Sequence, residues 1–185
     1  MNKSNDRWKK ENRQLELAKR MIQQEARTQV VVDWTGLTIY TVQTIFRQYP
    51  DTNAARPRGI SPFQPSIFSR TRRHRRESAT LASIALDMQI IVDRGEEAAR
   101  KLPGLDRGER LLNAFELFRE YVPASALRFE HAILLVTELT RGSAIAIDRC
   151  RSCYGLIVVD RITRPLNNCG FCRIKNQTPD LQYAT

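Results

Sequence analysis

Apolar side chains recur along residues 6–26 at Trp8, Leu15, Ala18, Met21, Ile22 and Ala26, with charged residues between them, at spacings that fall on one helical stripe. An amphipathic first helix is expected. Residues 28–49, TQVVVDWTGLTIYTVQTIFRQY, predict two short helices interrupted at Gly36. Residues 50–65 carry four prolines and no periodicity, which reads as a loop, and residues 66–76 form an Arg-dense connector. Residues 77–92 are apolar on too many positions for one face, so a largely buried helix is expected there, stopped by Gly95. A short helical piece over 96–102 ends at Pro103. Asp106 and Glu109 then resemble a capping box opening a helix through Tyr121, whose stripe is Leu111, Leu112, Phe115, Leu117 and Phe118. Ser125 is placed to cap a last helix carrying Leu127, Phe129, Ile133, Leu134, Val136 and Leu139, which Gly142 closes. Beyond Gly142 the runs SAIAID and GLIVVDRI are β-branched and read as short strands. The fold class expected is mainly α: a helical domain over 1–142 and a small lobe with short strands over 143–185.

Thirty Lys and Arg stand against twenty Asp and Glu in 185 residues, a net charge of +10. The surplus is uneven, +4 over 1–27, −1 over 28–55, +7 over 56–76, −4 over 77–140 and +4 over 141–185. Only six of the basic residues are Lys, and Arg is the side chain whose planar fork suits phosphate and guanine. A polyanion is therefore the leading class of partner, against the plainer reading of a merely basic protein. The longest aliphatic stretch, residues 132–136, is far short of the roughly 20 residues needed to cross a bilayer. The polar start MNKSNDRWKKENRQ lacks a secretory apolar segment, so a cytoplasmic chain with reduced thiols and no membrane partner is expected.

All four cysteines, Cys150, Cys153, Cys169 and Cys172, fall near the C-terminal end as CxxC, fifteen residues, CxxC. Two residues between thiolates let one tight turn present both sulfurs to the same ion, and two such knuckles complete a tetrahedral shell, so one Zn2+ per chain is expected. Gly155 and Gly170 stand where the knuckle turns benefit from tolerance of positive φ. Two disulfides in any of three connectivities are one alternative, disfavoured in a reducing compartment. A thioredoxin-like pair is another, but CRSCYGLIVVD runs into a strand rather than opening a helix. Four thiolates leave no open position on the metal, which makes it structural rather than catalytic.

Around Gly36 the apolar residues stand where a helix-turn-helix needs burial: Val31 and Val32 on the first helix, Leu37 beneath the turn, Val42 and Ile45 on the second. Thr38 is placed to cap the second helix. Thr38, Tyr40, Gln43, Thr44 and Arg47 face outward as candidate DNA contacts, Gln and Arg being able to pair bidentately with adenine and guanine. An ordinary helical hairpin is the plain alternative. Arg70, Arg72, Arg73, Arg75 and Arg76 follow in SRTRRHRRES, with no acid between Asp51 and Glu77. Such density suits phosphate contact more than solubility. His74 and His131 have no nucleophile or second ligand at useful spacing, Trp8 and Trp34 read as packing residues, and no Walker, GxGxxG or GxSxG motif is present. No enzyme and no small-molecule substrate are expected.

The order of these features, LELAKRMIQQEARTQVVVDWTGLTIYTVQTIF, then RGISPF, a helical middle and paired CxxC knuckles, resembles the FlhC family across roughly residues 12–172. These are the DNA-binding subunits of the bacterial flagellar master activator, with FlhC-like activators of conjugative plasmids and integrative elements (SetC/AcaC type). The resemblance implies a mainly helical subunit whose zinc is held by Cys150, Cys153, Cys169 and Cys172. It also implies assembly with a small FlhD-like helical subunit into a hetero-oligomer that binds upstream of promoters and recruits RNA polymerase. The Arg run stands where flagellar members tend to be aromatic, which points to the mobile-element type. A zinc-stabilised RNA-binding or ribosome-associated module is the alternative from another class.

Overall fold

The computed structural model describes residues 3–48, 62, 64–162 and 168–172; the proline-rich loop expected over 50–65 falls mostly outside them. Among the described residues the chain forms α1 (Lys3–Gln23), α2 (Thr28–Thr35), α3 (Ile39–Gln48), α4 (Ile67–Arg70), α5 (Arg72–Asp87), α6 (Glu96–Arg100), α7 (Leu105–Tyr121) and α8 (Phe129–Arg141). One antiparallel pair, β1 (Ile145–Arg149) and β2 (Leu156–Asp160), follows them. The mainly helical expectation with a small stranded end is met.

Helix α1 is two helices in one as far as burial goes. Leu17, Ala18, Met21 and Ile22 are buried, while the first turns lie in water and Trp8 is 62% exposed. The packing role expected of Trp8 is not met, because among the described residues no element lies over its half of the helix; Trp34 does meet it. Leu17 and Met21 pack where Gly108 of α7 lacks a side chain: a Cβ there would stand 2.9 Å from Leu17 Cδ2 and 3.4 Å from the Trp34 ring. Two ion-pair rungs lie beside this contact, Arg13 with Asp106 and Glu109, and Arg20 with Glu116 and Asn113. Both helices advance seven residues between rungs, so α1 and α7 run in the same direction. Asp106 and Glu109 thus serve an interhelical pair rather than the capping box; the N-cap is Gly104, with no side-chain cap.

Four further boundaries differ from expectation. The Arg-dense segment is helical rather than a connector. Thr71 Oγ1 accepts the His74 N–H and starts α5 at Arg72, and arginine is itself a good helix former. That helix ends at Asp87 rather than residue 92: Gln89 takes a positive φ of 53° and the chain turns to bury Ile90 and Ile91. Gly95 precedes α6 instead of stopping α5, and its N–H donates to Thr140 O at 2.8 Å. Ser125 does not cap α8. His131 Nδ1 accepts the Arg128 N–H at 3.0 Å, and burial, then the Arg128 charge and His74, hold His131 below the ordinary histidine range, which keeps that nitrogen an acceptor.

The core joins α1, α2, α4, α5, α7 and α8 through Leu17, Val31, Phe68, Leu81, Phe115 and Phe129, with Phe115 edge-on to Phe129 at 5.5 Å. The strand pair divides its faces with a period of two. Ile145 and Val158 turn into this helical core, while Ile157 and Val159 turn toward the cysteines.

Glu77 carries the link from α5 to the loop before α8. It is 4% exposed and accepts from Arg73 Nε at 2.6 Å, Ser125 Oγ at 2.9 Å and the Ala126 N–H at 3.3 Å. Burial alone would raise its pKa, but these donors outweigh it and hold the carboxyl below the ordinary glutamate range. A depressed carboxyl stabilises the fold above its unfolded pKa of about 4.3, and that contribution is lost as pH falls through the folded value. Glu77→Gln is expected to cost roughly 1 to 3 kcal/mol at neutral pH. Denaturant titrations should show the gap to the wild type closing below about pH 4; a gap unchanged down to pH 3 would contradict the assignment.

Candidate metal centre and basic surface

The two cysteine knuckles meet because β1 runs directly into the first, and residues 168–172 place the second beside it. The Cys150 N–H donates to Gly155 O, and the Tyr154 N–H to Cys150 O, both at 2.8 Å, closing the first knuckle. Tyr154 takes the positive φ of 58° in this turn. The expectation that Gly155 and Gly170 supply positive φ is therefore not met. Gly170 is needed for a different reason: a Cβ there would collide with the backbone carbonyl of Arg72 and with Arg76 Cγ.

The ligand atoms of Cys150, Cys153, Cys169 and Cys172 all lie within 4.8 Å of one another. Cys150 Sγ is 3.9 Å from Cys172 Sγ, and Cys153 Sγ is 3.6 Å from Cys169 Sγ. A disulfide needs about 2.0 Å, and all four cysteines are free. A tetrahedral tetrathiolate site with Zn–S bonds of about 2.3 Å has sulfur–sulfur edges of about 3.8 Å. The donor set fits zinc in number, chemistry and spacing.

The electrostatics of the thiols agree. Burial pushes the Cys150 thiol up, but the N–H groups of Cys169, Cys153 and Ser152 outweigh it and bring it down to about 6. Cys169 is lowered the same way, with the Cys172 N–H on its sulfur at 3.2 Å. Cys172 is pushed up to about 12, chiefly by its side-chain hydrogen bonds to Cys169 and Cys153. Four adjacent thiols cannot all ionise unaided, and a divalent cation is what replaces the retained protons.

The basic run is divided by the fold. Arg72 donates to Gly170 O at 2.9 Å and to Cys172 O at 3.0 Å, so its guanidinium clasps the second knuckle. Arg73 pairs with Glu77 and donates to the Ala124 carbonyl. Arg76 lies 5.9 Å over the Phe171 ring. Arg70 is exposed and Arg75 half-buried, and no intrachain partner engages either among the described residues. All five open α5 or immediately precede it, so their charge adds to the positive end of the helix dipole.

The Gly36 segment lies apart from this. Gly36 adopts a left-handed φ of 71°, its N–H donates to Val32 O, and Gln14 Nε2 donates to Thr35 O. Val31, Val42 and Ile45 are buried and Leu37 packs partly beneath the turn. The Thr38 hydroxyl caps α3, accepting the Thr41 N–H at 3.2 Å. Thr44 Oγ1 donates to its own helix at Tyr40 O. Tyr40 is 75% exposed, Arg47 is exposed and Gln43 half-buried. Of the five residues expected to face outward, Tyr40, Gln43 and Arg47 have their polar ends uncommitted among the described residues.

The role of Arg72 at the knuckle, and the exposed rings of Phe171 and Tyr121, are not signalled by the sequence pattern. Phe171 standing inside a four-residue knuckle, where little can cover it, is the one available hint. Among the described residues no helix is long and apolar enough to cross a membrane. No protein-family model matches the chain, and no curated protein matches it.

Purified protein is expected to carry one zinc per chain by elemental analysis. Cobalt exchanged into the site should show tetrahedral thiolate absorption. Since a structural site contributes on the order of 10 kcal/mol to folding in small zinc domains, Cys153→Ser or Cys169→Ser should lower both metal content and the thermal midpoint. Active protein without metal would refute the site.

Proposed function

We propose that this chain is the DNA-binding subunit of a heteromeric bacterial transcriptional activator acting in the cytoplasm, as its resemblance to the FlhC family implies. The observation that carries the reading is the face of α3. Val42 and Ile45 anchor the helix to the core while Tyr40, Gln43 and Arg47 project from it uncommitted. A helix anchored so, with a tight glycine turn behind it, suits entry into the major groove as the second element of a helix-turn-helix. Gln43 and Arg47 then read base edges. Arg70 and Arg75, at the dipole-positive start of α5, take phosphates and set register without carrying sequence information. Arg72 and Arg73 act chiefly within the chain, holding the zinc knuckle and Glu77.

The partners follow the same reading: duplex promoter DNA, an FlhD-like helical subunit and RNA polymerase. The exposed first turns of α1, with Trp8 among charges, are the surface offered to the helical subunit. The zinc is structural and confers no enzymatic activity.

Duplex binding by the zinc-loaded chain should separate reading from positioning. Gln43→Ala or Arg47→Ala is expected to cost about 1 to 3 kcal/mol at particular base pairs. Arg70→Gln with Arg75→Gln should weaken all duplexes alike and reduce the salt slope by nearly one for each phosphate contact removed. If α3 variants leave every single-base operator variant unaffected, the segment is a structural hairpin. Separately, Trp8→Ser should abolish co-purification with the helical partner while leaving the zinc content and thermal midpoint unchanged; retained co-purification would place the interface elsewhere.

A further inference from the structure

An open trough runs between α5 and the zinc lobe. It consists of two adjoining cavities of about 480 and 370 Å3 that share Thr80 and Phe171. Its floor is a stripe of α5 from Arg73 through Arg76, Thr80 and Ser83 to Ile84, about 16 Å long at the helical rise. Tyr121 and Val122 from the end of α7 form one wall, Leu156 and Phe171 of the zinc lobe the other.

The walls present aromatic faces to water: Tyr121 is 73% exposed and Phe171 63%. The guanidinium of Arg76 lies over the Phe171 ring, and the rest of the basic run continues beyond this end. The carboxylate among the lining residues, Glu77, is buried and held by Arg73, Ser125 and Ala126. The trough is thus positive at one end, apolar along its length, and flanked by flat rings.

We propose that this trough binds single-stranded DNA, stacking bases on Phe171 and Tyr121 while Arg76 and its neighbours take the phosphates. Unpaired bases offer π faces to aromatic side chains whatever their sequence, and a basic rim supplies the backbone contacts. A duplex keeps those faces stacked inside, so the trough selects unpaired strand. A partner helix laying an apolar face here would leave the basic end at Arg76 without an anion, which a nucleic-acid strand supplies. The Thr80 hydroxyl, at the middle of the floor, is turned back to Arg76 O of its own helix and is not offered to a 2′-hydroxyl. The inference shares only the basic run with the duplex reading above, and its aromatic part is independent of it.

The test is fluorescence anisotropy with the zinc-loaded full chain, using a labelled oligo-dT, its RNA counterpart and a duplex. Phe171→Ala and Tyr121→Ala should each weaken oligo-dT binding roughly tenfold, leave duplex binding and zinc content unchanged, and be rescued by Phe171→Tyr and Tyr121→Phe. Because Phe171 lies inside a knuckle, Tyr121→Ala, on a helix end outside it, keeps the test decisive should the knuckle variant misfold. Oligo-dT affinity unchanged in Tyr121→Ala would overturn the proposal. So would RNA bound tenfold tighter than DNA, or a crosslinker placed at residue 121 that captures protein in preference to oligonucleotide. Loss of duplex binding in Gln43→Ala and Arg47→Ala with oligo-dT binding intact would support both readings separately, whereas absence of any duplex binding alongside the Tyr121 effect would remove only the duplex one.

Discussion

The rest of this structure depends on one close approach, the backbone of Gly170 against the first turn of α5. No side chain fits between Gly170 and the Arg72 carbonyl, and the Arg72 guanidinium reaches back to the carbonyls of residues 170 and 172. The second cysteine knuckle is therefore seated on the helix that carries the basic run. Four thiols fix the knuckles to each other, and this contact fixes the pair to the helical core. Ile145 and Val158, packed into that core from the strands, complete the attachment. A four-cysteine cluster built this way does more than gather its own ligands: it sits on the first turn of α5, which Thr71 caps, and holds the Arg72 guanidinium there.

The same helix start concentrates charge in a way that folding alone does not favour. Five arginines and the positive end of the helix dipole stand together, and one of the five, Arg73, has a carboxylate partner, Glu77. Thr71 offsets part of this by satisfying an end N–H, and the carbonyls of residues 124, 170 and 172 accept from Arg73 and Arg72. Among the described residues, no carboxylate neutralises what remains at Arg70 and Arg75. Other arginines are paired across helices, as Arg13 and Arg20 are with α7, or between the α1–α2 connection and α8, as Arg27 is with Glu130.

Two surfaces with different chemistry are separated along the chain. The face of α3 offers hydrogen-bonding side chains on a buried anchor, suited to reading paired bases. The trough between α5 and the zinc lobe offers rings and a basic end, suited to unpaired ones. On the proposed function both surfaces would be used, the first on duplex and the second on unpaired strand, and the four-cysteine lobe would then belong to the second.

The sequence by itself determined the elements whose cause is local. The glycine-broken pair around Gly36, the stripe of α7, the left-handed stop at Gly142 and the two short strands were legible because periodicity and end residues act within a turn or two of chain. The four cysteines were legible because knuckle spacing is a property of the ligand set. Tertiary structure decided the rest. Asp106 and Glu109 have the spacing of a cap, but Arg13 of another helix competes for them. Ser125 could cap a helix, but Glu77 reaches it first. The Arg run became helix because Thr71 capped it and the knuckle docked on its first turn, and Gly170 proved necessary for that contact rather than for its φ. Trp8 reads as core, yet among the described residues no element lies over it, and Phe171 and Tyr121 become a surface only when α7 and the four-cysteine lobe are brought to either side of α5. The Thr71 cap apart, the deciding contacts are made with residues tens of positions away, where local pattern carries no information about which donor, acceptor or face arrives first.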